Sequence, residues 1–442
     1  MNQPILQPMP TARAQSIQTP RYQEKREAIL SAAAVLFNEQ GVRGATLTDI
    51  AGSVGLVTNS VTYYYRKKED LATACFLRSI AAYDGLAVAA AKETSVPDRV
   101  RAFFERHAQL LVAMEEGRHA PLLIFSDIRA LPEPQAGDVF AAYTAMFRRV
   151  RALLKGAETA NLGRDDLNAR AHMMLSISTW IRTWIARHDS DDYPRVAARV
   201  SDILIHGMAG AGEVAGTHAG AGTPSLWHAA EAEAAWRLQG SVEGTSEAFL
   251  RAATFLVNEQ GYRGASVDKI SARLNVTKGS FYHHNDNKHD LITECFERTF
   301  AVMRQALSLA ESSPGSGWSR ACAAARAMVR FQLSDGGPLL RASATSALPD
   351  QAHREQVRMT MRRVTERMHS VVVDGMMDGS IRPLDPAIAA QSAIAAINAA
   401  AELHRWVPSA NAANVADLYV RPAFEGVLCP GAGSNEQHGV EP

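Results

Sequence analysis

Two short stretches of the chain concentrate side chains that donate hydrogen bonds. Their sequences are Thr58-Asn59-Ser60-Val61-Thr62-Tyr63-Tyr64 and Lys278-Gly279-Ser280-Phe281-Tyr282-His283-His284. Hydroxyl, amide, ammonium and imidazole groups bond to phosphate oxygens and to base edges, and Gly279 lets the backbone approach a phosphate where a Cβ would intrude. The chemistry that these residue types support is the recognition of a nucleic acid, without bond making or breaking.

Four further residues place anion-binding groups beside these stretches. Thr46 and Ser266 fall at predicted helix N-termini, where free N–H groups and the helix dipole favour an anion such as phosphate. Lys68 and Lys288 each open a long predicted helix that follows directly. Lys278, at the start of its own short helix, can contact a phosphate or a guanine.

Catalytic chemistry finds little support in the sequence. There is no Gly-rich phosphate loop, no nucleophile elbow and no repeated pair of carboxylates on an apolar face. His188, Asp189, Asp191 and Asp192 could be drawn as a metal site, but they follow a predicted helix end and have no counterpart in the second half. Solvated charge at a helix end explains them better. We therefore expect no enzyme activity, no metal ion and no cofactor.

The recognition residues lie within a repeat of the whole chain. Residues 36–76 align with residues 256–296 without a gap and share 16 identities in 41 positions. The repeat continues outside this window, where Trp184 has a plausible partner in Trp406. An offset of half the chain length indicates two copies of one domain rather than a solenoid of small repeats.

Each copy predicts the same order of helices. In the first copy a helix over 21–40 ends at Gly41, a natural left-handed cap, and Thr46 caps a short second helix. A third short helix covers 58–64, and a long fourth helix begins near Lys68. Two short helices joined by a tight turn and braced by a third make a helix-turn-helix, whose second short helix enters the major groove of DNA.

This ordered pattern resembles the N-terminal DNA-binding domain of the TetR family of bacterial repressors. The matching segments are Phe37-Asn38-Glu39-Gln40-Gly41, Thr46-Leu47-x-x-Ile50-Ala51 and Lys68-Glu69-Asp70-Leu71 in the first copy, and Ser266-Val267-x-x-Ile270, Val276–His284 and Lys288-x-Asp290-Leu291 in the second. Roughly 50 residues per half carry the motif. The resemblance implies an all-α fold of two tandem TetR-like units, each a three-helix head plus a helical effector and dimerisation bundle.

The resemblance also implies which residues contact double-stranded DNA. They are Thr46, Thr58, Asn59, Ser60, Thr62, Tyr63, Tyr64, Lys68, Ser266, Lys278, Gly279, Ser280, Tyr282, His283, His284 and Lys288. Core packing is the alternative for each tyrosine. The chain departs from the family at Thr62, where an aromatic residue is usual, and at Asn285, where a phenylalanine is usual. Because local charge is also modest, a head that has lost DNA binding remains an alternative.

Further amphipathic helices follow each head. They are predicted near 97–115, 121–130, 134–155, 165–187 and 193–208, and again near 318–333, 338–347, 351–378, 385–405 and 410–426. In the TetR family such helices form a pocket for a small molecule, and the last two pair with a partner subunit as a four-helix bundle. The resemblance therefore implies 165–208 and 385–426 as the two interface pairs.

Aromatic and methionine side chains on these helices are candidates for lining an effector pocket, although core packing is the commoner role of such residues. The candidates are Phe103, His107, Met114, Phe125, Met174, Trp180 and Trp184 in the first half, and Met303, Met328, Phe331, Met361 and Met376 in the second. They predict an apolar or aromatic effector. By binding, the effector would tilt the fourth helix and change the separation of the heads.

Composition sets the remaining expectations. Lys plus Arg (46) equals Asp plus Glu (46), so DNA binding must rest on local placement of charge. Four cysteines without metal-binding spacing, no signal peptide, and no apolar stretch longer than the Ala-rich 387–401 predict a cytoplasmic protein away from the membrane. The predicted division is 1–20 flexible arm, 21–67 first head, 68–208 first body, 209–243 linker with a short helix at 226–239, 244–287 second head, 288–428 second body and 429–442 tail.

The repeat leads to one functional expectation with two alternatives. We expect a ligand-released repressor in which one chain forms an intramolecular pseudo-dimer. It would read an asymmetric operator, because the two recognition helices differ. A homodimer of two chains with four heads is the first alternative. The second is a ligand-sensing or adaptor protein in which one or both heads have lost DNA binding.

Overall fold

The computed structural model describes residues 19–213, 245–284, 287–348 and 350–431. Within these residues the chain is helical, apart from loops and one isolated antiparallel bridge between Ala209 and Ile381. The predicted all-α fold with two tandem units is confirmed. The predicted arm (1–18 of it), most of the linker with its helix at 226–239, and the end of the tail lie outside the described residues.

The first unit contains eight α-helices. They are α1 (Pro20–Gly44), α2 (Leu47–Ser53), α3 (Thr58–Tyr64), α4 (Lys68–Ala90), α5 (Val96–Glu115), α6 (Gln135–Leu153), α7 (Arg164–Ile181) and α8 (Tyr193–His206). Short 3-10 turns cover Phe125–Ala130, Ala157–Thr159, Ile185–Arg187 and Ser190–Asp192.

The described part of the second unit repeats this order. Its α-helices are α9 (Thr245–Gly264), α10 (Val267–Arg273), α11 (Lys278–His284), α12 (Lys288–Ser312), α13 (Gly317–Gln332), α14 (Gln351–Met377), α15 (Pro386–Ala399) and α16 (Arg421–Glu425). 3-10 segments cover Ala342–Ala347 and Ala400–Arg405, and a π-helical turn covers Ala416–Val420.

The turns of both heads depend on residues in the left-handed backbone region. Gly41 has φ 73° and Gly261 has φ 71°, and each breaks the first helix of its head near the end. Between the two short helices, Gly55 has φ 66° and its repeat equivalent Asn275 has φ 55°. Glycine and asparagine adopt this region at the lowest cost, so the turn is the same although the residue differs.

Each body is built around the long helix that follows its head. Helix α4 packs against α1, α5 and α6, and α12 packs against α9, α13 and α14. By length and composition α4 is the one helix of the described residues that could cross a membrane. Its Leu71, Phe76 and Tyr83 are fully buried inside the unit, as expected for the core helix of a folded domain.

Each head is joined to its body by an asparagine side chain at the equivalent position of the repeat, Asn38 in the first unit and Asn258 in the second. The Asn38 side chain donates to a carbonyl of segment 121–124 at 2.8 Å and accepts from an N–H of that segment at 3.2 Å. Asn258 makes the same two bonds with segment 338–341, at 2.8 and 3.1 Å. These bonds tie the end of each head helix to the loop that leaves α5 or α13.

Two arginines reinforce this joint from the long helices. Arg78 on α4 pairs with Glu27 at 2.5 Å and donates to the carbonyl of Pro121 at 3.1 Å. Its repeat equivalent Arg298 pairs with Glu247 at 2.7 Å and donates to the carbonyl of the matching proline at 3.4 Å. The repeat therefore preserves the contacts of the joint as well as the sequence.

Segments 121–130 and 338–347 are not the helices that the sequence predicts. Residues 121–124 are non-helical and lead into the 3-10 turn Phe125–Ala130, and residues 338–341 lead in the same way into Ala342–Ala347. The reason is the joint itself: the backbone groups of these segments bond to side chains of the head and of the long helix, which a helical turn would prevent.

The last predicted helices are shorter than expected. The segment 165–187 leaves α-helical winding after Ile181, where the N–H groups of Thr183 and Trp184 bond to carbonyls three residues back, at 2.9 and 3.1 Å. The tighter winding brings Trp184 into the core. In the second unit, 385–405 likewise changes to a 3-10 segment after α15, and 410–426 begins as a π-helical turn.

The two units pack together along a seam. Helices α7 and α8 of the first unit contact α15 and α16 of the second, and α7 also contacts the 416–420 turn. These elements lie in segments 165–208 and 385–426, the interface pairs that the resemblance implies. The indole N–H of Trp180 donates to Gln391 at 2.9 Å across the seam, and ion pairs of 2.6 Å join Arg199 to Asp385 and Arg382 to Asp202.

A C-terminal strap closes the seam over one buried arginine. Arg170 on α7 is fully buried and donates to the carbonyls of Val427 and Cys429, each at 2.9 Å, and to that of Pro430 at 3.3 Å. Its carboxylate partner is Asp166 at 3.5 Å. The packed part of the chain thus continues to about Gly431, into the segment that the sequence assigns to the tail.

Replacing this arginine tests the seam. Arg170→Met should lower the free energy of unfolding by about 3 kcal/mol, because it leaves buried carbonyls of the strap without donors. Arg195→Met is the matched control: Arg195 also lies near the seam, but its side chain is 68% exposed. Urea denaturation followed by tryptophan fluorescence measures both. Equal stability of the two variants would contradict a structural role of the strap.

Candidate nucleic-acid interface

The recognition helices α3 and α11 are held by one apolar side chain and present polar ones to solvent. Val61 and its equivalent Phe281 are fully buried in their heads. On the outer side, Tyr63 is 74% exposed and Tyr282 is 58% exposed. These two tyrosines are therefore placed to reach a partner rather than to fill the core.

The first recognition helix uses some of its hydroxyl groups internally. The Thr62 hydroxyl donates to the carbonyl of Asn59 at 3.0 Å, and the Thr58 hydroxyl lies 3.3 Å from that of Thr48. Tyr64 is only partly exposed, with its ring centroid 4.7 Å from that of Tyr22 on α1. Of the residues predicted here, Asn59 remains the most open polar group beside Tyr63.

The second recognition helix is capped and more open at its start. Thr277 accepts from the N–H of Ser280 at 3.3 Å, whereas helix α3 begins at Val57 without a side-chain cap. The space beside Gly279 is open, with the nearest side-chain atom 3.6 Å from where a Cβ would stand. There is therefore open space at this position, and its contact with a phosphate stays a prediction.

The charges of the second recognition helix are partly compensated. The Lys278 ammonium lies 2.6 Å from the Asp268 carboxylate, and both side chains are more than half exposed. An exposed pair of this kind is weak, so Lys278 can exchange it for a phosphate at little cost. His283 is exposed and His284 ends the helix.

The two heads carry opposite charges at the third residue of their first short helix, Asp49 in α2 and Lys269 in α10. Thr46 caps α2, and the Asp49 carboxylate accepts from the Thr46 N–H at 3.1 Å and from its hydroxyl at 2.7 Å. These bonds lower the pKa of the Asp49 carboxyl, so the group is charged at neutral pH. In the second head Ser266 caps α10 and the equivalent residue is Lys269.

This difference changes the expected phosphate site. A carboxylate already occupies the N-terminus of α2, where an anion was expected. The first turn of α10 contains both Asp268 and Lys269, and the Lys269 ammonium donates to the Gln260 side chain. The sequence reasoning named Thr46 and Ser266 but missed Asp49 and Lys269. Comparing the two copies position by position would have found them, because this is a reversal of charge at the third residue of a helix.

Lys68 and Lys288 bind to their own heads. The Lys68 ammonium donates to the carbonyl of Ala45 at 3.0 Å, and the Lys288 ammonium donates to the carbonyl of Tyr262 while lying 4.0 Å from the centre of its ring. Both therefore brace the kinked end of the first head helix. Their contact with phosphate stays a prediction.

The candidates for lining an effector pocket lie in the cores of the two bodies. Buried are Phe103, His107, Met174, Trp184, Met303, Met328, Phe331 and Met361, and partly buried are Met114, Phe125, Trp180 and Met376. The ring nitrogen Nε2 of His107 is 3.3 Å from the Tyr83 hydroxyl. Burial lowers the pKa of His107 to about 3, with a smaller contribution from Arg182, so its imidazole is neutral at ordinary pH.

A groove of about 590 Å³ opens elsewhere, at the seam between α8 and the start of α15. Its walls include Arg195, Arg199, Leu384 and Asp385 but none of the effector candidates. The described residues contain no group of three or more His, Cys, Asp or Glu side chains that could hold a metal ion.

Comparison with known proteins identifies the heads. The family model described as bacterial regulatory proteins, tetR family, matches residues 29–75 and 249–295. The transposon Tn10 TetC protein of Escherichia coli is 35% identical over 81 residues, which are 18% of this chain and 41% of that protein. The biofilm operon icaADBC HTH-type negative transcriptional regulator IcaR of Staphylococcus epidermidis is 40% identical over 45 residues, 10% of this chain and 24% of that protein.

These similarities cover only part of each relative. The chain spans about two fifths of the length of the first protein and about a quarter of the second.

Among solved structures, a TetR-family transcriptional regulator from Bordetella parapertussis is 16% identical with a TM-score of 0.36, covering 41% of this chain and 94% of that chain.

The charge reversal between the heads can be tested on DNA. Asp49→Asn should tighten DNA binding by about threefold, because it removes a negative charge facing phosphate and keeps an oxygen that accepts from Thr46. Lys269→Gln should weaken binding and lower the slope of log affinity against log salt by about one. Fluorescence anisotropy with labelled duplex measures both effects.

Asp98→Asn is the matched control for the aspartate. Asp98 takes the same part in a hydroxyl cap, with Ser95 at the start of α5, and lies in the body instead of the head. It should leave DNA binding unchanged. Weaker binding by Asp49→Asn would show instead that the carboxylate itself receives a hydrogen bond from the DNA.

Proposed function

We propose that one chain is a repressor acting as a pseudo-dimer. The premise is that the chain belongs to the tetR family of bacterial regulatory proteins and carries two of the family's DNA-binding domains. The chain binds a two-part operator in the cytoplasm, with one recognition helix in each part. A small-molecule effector releases it. The observation that carries the proposal is the presence of two outward-facing recognition helices on units that pack together within one chain.

The seam supports the intramolecular form. Helix α7 meets α15, and polar groups buried there find partners in the other unit: Trp180 in Gln391, and Arg170 in the strap. A covalent link keeps the second unit at a high effective concentration, so pairing does not depend on protein concentration. The chain can therefore bring two heads to DNA at dilutions where separate subunits would part.

The differences between the heads support an asymmetric operator. Position by position, Lys278 and Gly279 replace Thr58 and Asn59, and Lys269 replaces Asp49. Lysine contacts guanine or phosphate, whereas threonine and asparagine offer shorter, neutral groups. Two heads with different donors read different half-sites, whereas identical subunits read a palindrome.

Release requires that the effector bind one conformation better than the other. The first body offers an aromatic interior in which Tyr83, His107 and Phe125 are neighbours, with ring centroids of Tyr83 5.5 Å from His107 and 5.4 Å from Phe125. An apolar or aromatic molecule is the chemistry that such an interior favours. The similarity to IcaR, a negative transcriptional regulator, supports repression rather than activation.

Two alternatives follow from specific observations. The carboxylate of Asp49 at the DNA-facing start of α2 favours a chain in which the first head has lost DNA binding. Exposed Met377 and Phe140 would instead fit a homodimer of two chains with four heads. The pseudo-dimer accounts better for the buried polar contacts of the seam.

Selection of binding sites from random DNA at moderate salt tests the proposal. The expected result is one site with two unlike half-sites whose centres are about one helical turn, ~34–36 Å, apart. Binding should fall steeply as salt rises. Recovery of a perfect palindrome would contradict the single-chain form, and recovery of no site would favour the adaptor alternative.

A further inference from the structure

The same four residues end the first helix of both heads, but their surroundings differ. In the first head Glu39 of the Asn-Glu-Gln-Gly sequence is exposed. In the second head Asn258 is 6% exposed and Glu259 lies in the protein, with its side chain 31% exposed. In both heads a 3-10 turn of the other unit packs against this helix end, Phe125–Ala130 against α9 and Ala342–Ala347 against α1, so the difference lies in the charges at the contact.

An arginine of the other unit contacts the end of α9. Arg129, in the 3-10 turn Phe125–Ala130 of the first body, donates to the carbonyl of Asn258 at 2.8 Å and to that of Glu259 at 3.3 Å. Its guanidinium also lies 3.6 Å from the Glu259 carboxylate. Gly261 breaks α9 just beyond, so these are terminal helix carbonyls, where a cation is favoured by the helix dipole.

Charges of the second body complete a network around this contact. Glu402 lies 3.6 Å from Arg129 and pairs with Arg341, which also donates to the carbonyl of Asn258. Arg405 pairs with Glu259 at 2.7 Å. Burial alone would raise the pKa of Glu402, but Arg341 and Arg129 outweigh it and hold the pKa below its usual value.

At the first head the positions equivalent to these two arginines are uncharged. In the register of the repeat, Ile124 takes the place of Arg341, and Ser346 takes the place of Arg129. Neither side chain can donate a charged hydrogen bond to the end of α1. Both heads share the asparagine joint described above; among the described side chains, two arginines, one from each unit, donate to the helix end of the second head.

Arg129 is also connected to the core of its own body. Four residues before it, Phe125 packs edge-on against Tyr83 and Tyr143, with centroid distances of 5.4 and 5.1 Å. Tyr143 lies 5.8 Å from Trp406 of the second body, next to the 3-10 segment that carries Glu402. A change in the packing of Phe125 would therefore move the turn that holds α9.

We propose that Arg129 is a positioning residue through which the first body sets the position of the second head. This deepens the proposed function and rests on it: an effector that enters the first body would act on the head of the other unit. Its path runs through the turn Phe125–Ala130. The turn Ala342–Ala347 packs against the first head in return, but it has a serine at the position of Arg129. The two heads are thus under unequal control.

Hydrogen exchange on the full chain tests the positioning without DNA or effector. Arg129→Met should reduce the protection of amides in α10 (267–273) by about tenfold and leave those of α2 (47–53) unchanged. Arg118→Met is the control, because Arg118 is exposed and pairs with Glu116 of its own unit. Arg129→Lys, which keeps the charge but loses the fork of donors, should fall between wild type and Arg129→Met.

Each outcome of the exchange experiment supports or contradicts the positioning role of Arg129. Equal loss in both heads, or no loss in either, would overturn the proposal. If Arg129→Met does not fold, the comparison of the two heads is made on Arg129→Lys. A second arm uses the selected operator: Arg129→Met should lose affinity for the intact site but not for a duplex that keeps only the half-site of the first head. Failure of DNA binding by wild type would remove the proposed function and leave the exchange result standing.

Discussion

The packing of α7 and α8 against α15 and α16 is the constraint on which the rest of the molecule depends. Polar groups buried in this seam, above all Arg170, have their partners in the opposite unit, so separating the units would expose apolar surface and leave those groups unsatisfied. The seam fixes where the two bodies lie. Each body in turn fixes its head through the asparagine joint, so the separation of the recognition helices follows from the seam.

The seam is not symmetric, and this distinguishes it from the interface between identical subunits. In a two-fold dimer every contact occurs twice. Here, in the register that pairs Trp184 with Trp406, Ser392 stands where the first unit has Arg170. The strap contact is therefore made once. The first unit thus makes contacts with the second unit that it would not make with another copy of itself.

The same divergence separates the two heads. Identical joints, with Asn38 and Asn258 in the same bonds, show that the duplicated unit kept its internal mechanics. The parts that changed are charges at the start of the first short helix, as at Asp49 and Lys269, and the charged contacts that the end of the head helix makes with the other unit. Because one chain contains both copies, each head can change without changing the other.

The sequence predicts the heads well because their signals are local. Gly41 ends its helix as a left-handed residue, and Thr46 caps α2, both from residue types that allow few alternatives. For the segment that contains the 3-10 turn Phe125–Ala130 the sequence predicts an α-helix, which is wrong. The conformation of this segment depends on hydrogen bonds from Asn38 and Arg78, which are distant in sequence. The contacts of Arg129 could not be predicted from the sequence either, because they depend on how the two units pack together.

The residues predicted to contact DNA and the effector candidates differ in the same respect. Exposure of Tyr63 and Tyr282 follows from a seven-residue helix with one buried side chain, Val61 or Phe281. Whether Trp180 lines a pocket or serves the seam depends on a glutamine of the second unit, Gln391. Periodicity places a tryptophan on the inner face of a helix but does not say which inner surface it meets.

The mass of the DNA-bound complex in dilute solution tests the central claim most directly. Light scattering or native mass spectrometry with a duplex carrying one selected operator counts the chains per duplex. The account predicts one chain of 47.8 kDa on each duplex, independent of protein concentration. Two chains on every duplex, down to the lowest concentration at which binding is complete, would contradict it.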